Sequence, residues 1–157
     1  MKKSVILILI TVYVLALVLV GSIGANMLVY EEKVYIEKVN IASVKMEQAD
    51  MTVKTNPETG ERYCVAKTSI ADREKGIAFT MECSVLPADA TNGKIEVQIS
   101  PSQKDKVKNL SVNGTTVTFE LASHEPVAIE ITVKPEDSNL NSAKDTITIY
   151  LEDKPII

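Results

Sequence analysis

Two hydrophobic rhythms divide the chain. Val5–Val20 reads VILILITVYVLALVLV, apolar at every position except Thr11, and no charged residue occurs from Ser4 to Tyr30. At about 1.5 Å per helical residue, about 20 residues cross a hydrocarbon core about 30 Å thick, so this run is long enough to span. A helix is the expected conformation, because one segment alone in lipid must satisfy its own backbone N–H and C=O groups. The Thr11 hydroxyl is expected to bond back to the preceding turn.

Beyond Tyr30 the continuous run gives way to alternation. Ile77, Phe79, Met81, Cys83 and Val85 fall on one face of the stretch ending at Leu86, as a half-buried strand requires. The same period of two marks Ile95/Val97/Ile99, Val117/Phe119/Leu121, Val127/Ile129/Ile131/Val133 and Ile147/Ile149/Leu151. Val34–Met46, Met51–Thr55 and Tyr63–Thr68 read as further, less regular strands, the last two joined through a turn at Asn56-Pro57-Glu58-Thr59-Gly60. Pro87 with Asp89, Asn92-Gly93, Pro101-Ser102 and His124-Glu125-Pro126 supply the other turns, and Asn113-Gly114 is a two-residue hairpin signal.

Short strands at this spacing, with no convincing helix among them, predict an all-β fold: a β-sandwich preceded by one transmembrane helix. The expected organisation is a cytoplasmic tip and signal-anchor helix over 1–30, membrane-proximal strands over 31–70, and the sandwich over 71–157. The middle section supplies either a first strand and a hairpin to the sandwich, or a small stalk.

Charge sets the orientation. Lys2 and Lys3 precede the apolar run and Glu31 and Glu32 follow it, so the amino terminus is expected in the cytoplasm and the carboxyl-terminal domain outside the cell. A cleaved signal peptide is the alternative, with Ser22 and Gly24, or Ile23 and Ala25, at the peptidase positions; the apolar core exceeds the usual 7–15 residues or so of such a leader. Removing the two lysines leaves 15 basic residues against 21 acidic ones, a net charge of −6 on the exported part. That balance argues against nucleic acid as a partner.

The stretch Met81–Ser100, MECSVLPADATNGKIEVQIS, carries a family signature. It resembles the bacterial immunoglobulin-like domain of the group 2 type, in which a strand ends in a V-x-P-x-x-A-T-N turn; here the turn reads Val85-Leu86-Pro87-Ala88-Asp89-Ala90-Thr91-Asn92. Downstream, Val97 or Ile99 stands where such domains usually carry a Trp, and Pro126-Val127-Ala128-Ile129 replaces a Gly-rich final hairpin. The resemblance covers Ser69–Asp153. It implies an immunoglobulin-like (Ig-like) sandwich displayed at a cell surface for binding, adhesion or spacing, without chemistry.

Candidate chemistry is sparse. Cys64 and Cys83 are the two cysteines, and an exported domain with two suggests one disulfide. Asp137, Asn139 and Asn141 alternate like the opening of a calcium loop, but Ser142 and Thr148 stand where Gly and Glu are needed, so no metal site is expected. Asp89, Asn92, Asp137, Asn139 and Asn141 are the candidate binding residues, because loops carry recognition on sandwich scaffolds. His124 is the sole histidine, in a turn. No nucleophile set, phosphate loop or cofactor motif is present, so neither an enzyme nor a cofactor is expected. The expected partners are the lipid bilayer and a surface protein or polysaccharide. An alternative role is that of a non-catalytic accessory subunit docked into a membrane complex through its helix.

Overall fold

The computed structural model describes residues 3–27, 32–47, 49–137 and 143–154. The chain divides into two units, Met1–Lys33 and Val34–Ile157. In the first, helix α1 spans Lys3–Met27. Its stretch Lys3–Ile23 is long and apolar enough to cross a membrane, and every side chain along it is exposed. The Thr11 hydroxyl donates to the Leu7 carbonyl at 2.9 Å and the Ser22 hydroxyl to that of Val18 at 2.7 Å, so both polar groups are satisfied inside the helix.

The second unit is a sandwich of two five-stranded sheets. Its strands are β1 (Lys38–Met46), β2 (Ala49–Met51), β3 (Lys54–Thr55), β4 (Arg62–Thr68), β5 (Ile77–Leu86), β6 (Ile95–Ile99), β7 (Val107–Asn113), β8 (Thr116–Leu121), β9 (Val127–Pro135) and β10 (Asp145–Asp153). The first sheet has the order β2-β1-β5-β8-β7 and the second β3-β4-β10-β9-β6. Neighbours pair antiparallel except β4 and β10, which run parallel. The segment from Ala49 to Thr55 changes sheets: β2 pairs with β1, and β3 with β4.

Alternation places the core. Ile41, Phe79, Met81, Phe119 and Leu121 from the first sheet and Ile129, Ile131, Ile147, Ile149 and Leu151 from the second are buried together. Phe79 and Phe119 lie opposite each other in register and stack, with centroids 5.5 Å apart and planes 7° from parallel.

Two arginines tie the structure across elements. The β1–β5 register shifts between Ile41 and Ser43. At this bulge the Ile41 N–H donates to Asp145 Oδ2 at 2.7 Å, Arg62 Nη2 donates to the Ile41 carbonyl at 2.7 Å, and Arg62 pairs with Asp145, so a β4–β10 ion pair holds the backbone of the other sheet. Arg73 lies on α2 (Ile70–Lys75), a single turn capped by Ser69, whose hydroxyl accepts from the Asp72 N–H, and closed by Gly76 at φ 96°. The buried Arg73 guanidinium donates to the Thr68 carbonyl, the Thr68 hydroxyl and Asp153 Oδ1, the last at 2.7 Å.

Several expectations change. Of the two readings of the middle section, the stalk falls and the other holds: β1 supplies a first strand, pairing with β5, and β3 and β4 form a hairpin whose β4 pairs with β10, so the sandwich unit starts at Val34 and not near 71. Helix α2 stands between β4 and β5, where no helix is expected, because six residues are too few to show a helical period. Strand β7 lacked a pattern because every residue after Val107 is exposed. The β7–β8 hairpin turns one residue later than expected: Asn113 pairs with Thr116, leaving Gly114 at φ 60° and Thr115 in the loop, so glycine takes the first central position as in a type II′ turn. The Asn56–Gly60 turn is present, linking β3 to β4, with the Glu58 N–H donating to Asn56 Oδ1 at 3.0 Å.

Candidate binding surface

Of the candidate residues from the sequence, Asp89, Asn92 and Asp137 fall in two neighbouring loops. Asp89 is exposed in the turn after β5, while Asn92 is half-buried. Asn92 Oδ1 accepts from the Lys94 N–H at 3.1 Å and its amide donates to Glu136 Oε2 at 3.5 Å. The Glu136 N–H in turn donates to the Lys94 carbonyl at 3.1 Å. The loop after β5 and the start of the loop after β9 are therefore neighbours, and Asn92 acts as a tie between them. Asp137 is exposed beside this junction, and Asn139 and Asn141 lie outside the described residues.

Cys64 and Cys83, paired as a candidate bridge, are free buried thiols here. Cys64 is on β4 of the second sheet and Cys83 on β5 of the first, each neighbouring isoleucine in its own ladder: Ile149 beside Cys64 and Ile41 beside Cys83. Burial pushes both thiols up to about 11, with the Asp145 carboxylate adding to the effect at Cys83. They behave as small core hydrophobes.

His124 is exposed, with Nδ1 2.6 Å from Glu74 Oε1, and the Ser123 hydroxyl donates to the Glu125 carbonyl at 2.7 Å, so the two side chains serve separate partners. Among the described residues no group of three or more His, Cys, Asp or Glu is placed to hold a metal ion.

No pattern along the chain marks the groove on the outer face of the β4–β10 pair. Asn56, Glu61, Tyr63, Val65, Thr148, Tyr150 and Glu152 line a space of about 240 Å³. The parallel register sets Thr148 beside Tyr63, Tyr150 beside Val65 and Glu152 beside Lys67, so the tyrosines are diagonal neighbours. Their rings meet edge to face, 5.9 Å apart and 89° between planes. Lys67 pairs with Glu152 at one end of the groove. At the other, the Thr59 hydroxyl donates to Glu61 Oε2 at 3.1 Å. Glu61 and Thr148 also border a second recess with Arg62, Glu130, Lys144 and Asp145.

No protein-family model matches the chain, and the search of curated proteins returns no match.

Proposed function

We propose that this protein is a single-pass membrane protein that displays an Ig-like sandwich outside the cell as a non-catalytic binding, adhesion or spacer module. The observation that carries the reading is the contrast between α1, apolar and exposed along Lys3–Ile23, and a sandwich that buries its own apolar faces. Lys2 and Lys3 before the apolar run and Glu31 and Glu32 after it favour the amino terminus inside. The Ig-like assignment is supported by strand order. With β1, β5, β6, β7, β8, β9 and β10 lettered A to G, the first sheet contains A-B-E-D and the second G-F-C, the arrangement of constant-type immunoglobulin domains. The turn at Val85–Asn92 lies between strands B and C of that scheme and adds the resemblance to group 2 bacterial domains.

Protease added to intact cells tests the reading. The sandwich is expected to be digested or shaved from the surface while the tip before α1 survives; complete protection would overturn it. Exchanging α1 for an unrelated apolar helix separates the accessory-subunit role, because a surface-binding module keeps its function after the exchange and a helix-docked subunit loses it.

A further inference from the structure

The two outer faces of the sandwich differ in chemistry. On the first sheet the outward side chains include Ala78, Thr80, Glu82, Thr116 and Thr118, small or charged, with Glu82 answered by Lys45 at 3.1 Å. On the second, the groove over β4 and β10 sets two tyrosines between the carboxylates of Glu61 at one end and Glu152 at the other, with no cationic side chain in its lining. Tyr150 is 39% exposed there.

Aromatic faces carry negative potential and attract cations, most strongly where a carboxylate supplements the ring. The lining is therefore complementary to an organic cation. Size narrows the source. At about 240 Å³ the space is smaller than the roughly 300–1,000 Å³ usual for small-molecule pockets, and it lies on a sheet face, so one side chain fills it while the protein around that side chain supplies the remaining contact area. The chain also shows which group its rim accepts, since the Lys67 ammonium already sits on Glu152.

We propose that the Tyr63/Tyr150 groove receives the ammonium group of a lysine side chain from a partner protein. This rests on the surface-binding reading above and names the chemistry of the partner. Tyr63 and Tyr150 provide the ring faces, Glu61 and Glu152 the charge, and Lys67 competes for Glu152 from the rim.

The test uses the full chain in a nonionic polyoxyethylene detergent with 13C-labelled tyrosine, titrated at low salt with the capped peptide acetyl-Gly-Lys-Gly-amide. Saturable shifts of the Tyr63 and Tyr150 ring signals are expected, and the same peptide acetylated at the lysine Nε should give none. Tyr150→Ala should weaken binding about two- to fivefold, Glu61→Gln should weaken it further, and Lys67→Ala should tighten it by freeing Glu152. Far-UV circular dichroism of each variant confirms the strand content, so that loss of binding is read at the groove. Equal binding of the acetylated peptide, no saturable shift, or the same shifts produced by chitotriose, a neutral saccharide, would overturn the proposal. A domain that is digested on intact cells yet ignores the lysine peptide refutes the groove assignment alone, whereas a protected domain refutes the display reading.

Discussion

Helix α1 and strand β10 share isoleucine and leucine as their apolar residues and use them in opposite ways. Leu7 and Val20 in the helix are 70% exposed, whereas Ile147, Ile149 and Leu151 in the strand are exposed by 1% or less. What separates them is period. A continuous run presents apolar surface in every direction and requires an apolar surrounding, while alternation offers one apolar face that a second sheet can cover. The two units should therefore fail independently, each by the change that its own surroundings cannot accommodate.

The largest expected effect is on the helix. Leu9→Arg together with Leu15→Arg places two charges near its middle at about 2.5–3.5 kcal/mol each on the insertion scale, enough to keep α1 out of the bilayer. Fractionation should then find the chain outside the membrane pellet, with the strand spectrum of the sandwich unchanged. In the sandwich, Phe119→Ala removes one half of the Phe79 stack and should cost about 3–5 kcal/mol in chemical denaturation, with membrane insertion intact. Should either substitution damage both units, their independence is lost.

Smaller changes probe how the sandwich closes. Asp153→Ala leaves the buried Arg73 guanidinium on Thr68 and the His124 carbonyl alone, and should cost about 1–3 kcal/mol, read from the denaturation midpoint. The thiols add a pH dependence. Their folded values of about 11 stand above the ordinary 9.0, so the unfolded chain ionises first; stability is fully present below 9.0 and is lost as pH rises toward 11. Thiol reagents at neutral pH should leave the native sandwich unlabelled and react once denaturant unfolds it. Ser69→Ala removes the cap of α2 and should cost about 1 kcal/mol, the smallest effect in the series.

How far each feature could be read in advance follows from the range of the interaction behind it. The helix announces itself in sixteen consecutive positions, and strands such as β5 and β8 in alternation that is wholly local. Arg73 carries no such mark. Within Ile70–Lys75 it is one charge among four, and its burial depends on Asp153, 80 positions away. The Arg62–Asp145 clamp joins residues 83 apart and exists only because the parallel β4–β10 register brings them together at the bulge of β1. The tyrosine groove has the same origin: Tyr63 and Tyr150 each look like an ordinary outward strand residue until that register is known. Asn92 was legible as a turn residue, but its tie to Glu136 was not.

Because Cys64 and Cys83 are buried, introduced cysteines can report position without interference. Ala78→Cys and Thr118→Cys stand on the exposed face of the first sheet, and Lys3→Cys marks the far end of α1. Treated with a membrane-impermeant maleimide, intact cells should label positions 78 and 118 at once and position 3 only after permeabilisation. The reverse pattern, or protection at all three positions until the cells are opened, would contradict a membrane-crossing helix that presents its sandwich to the outside.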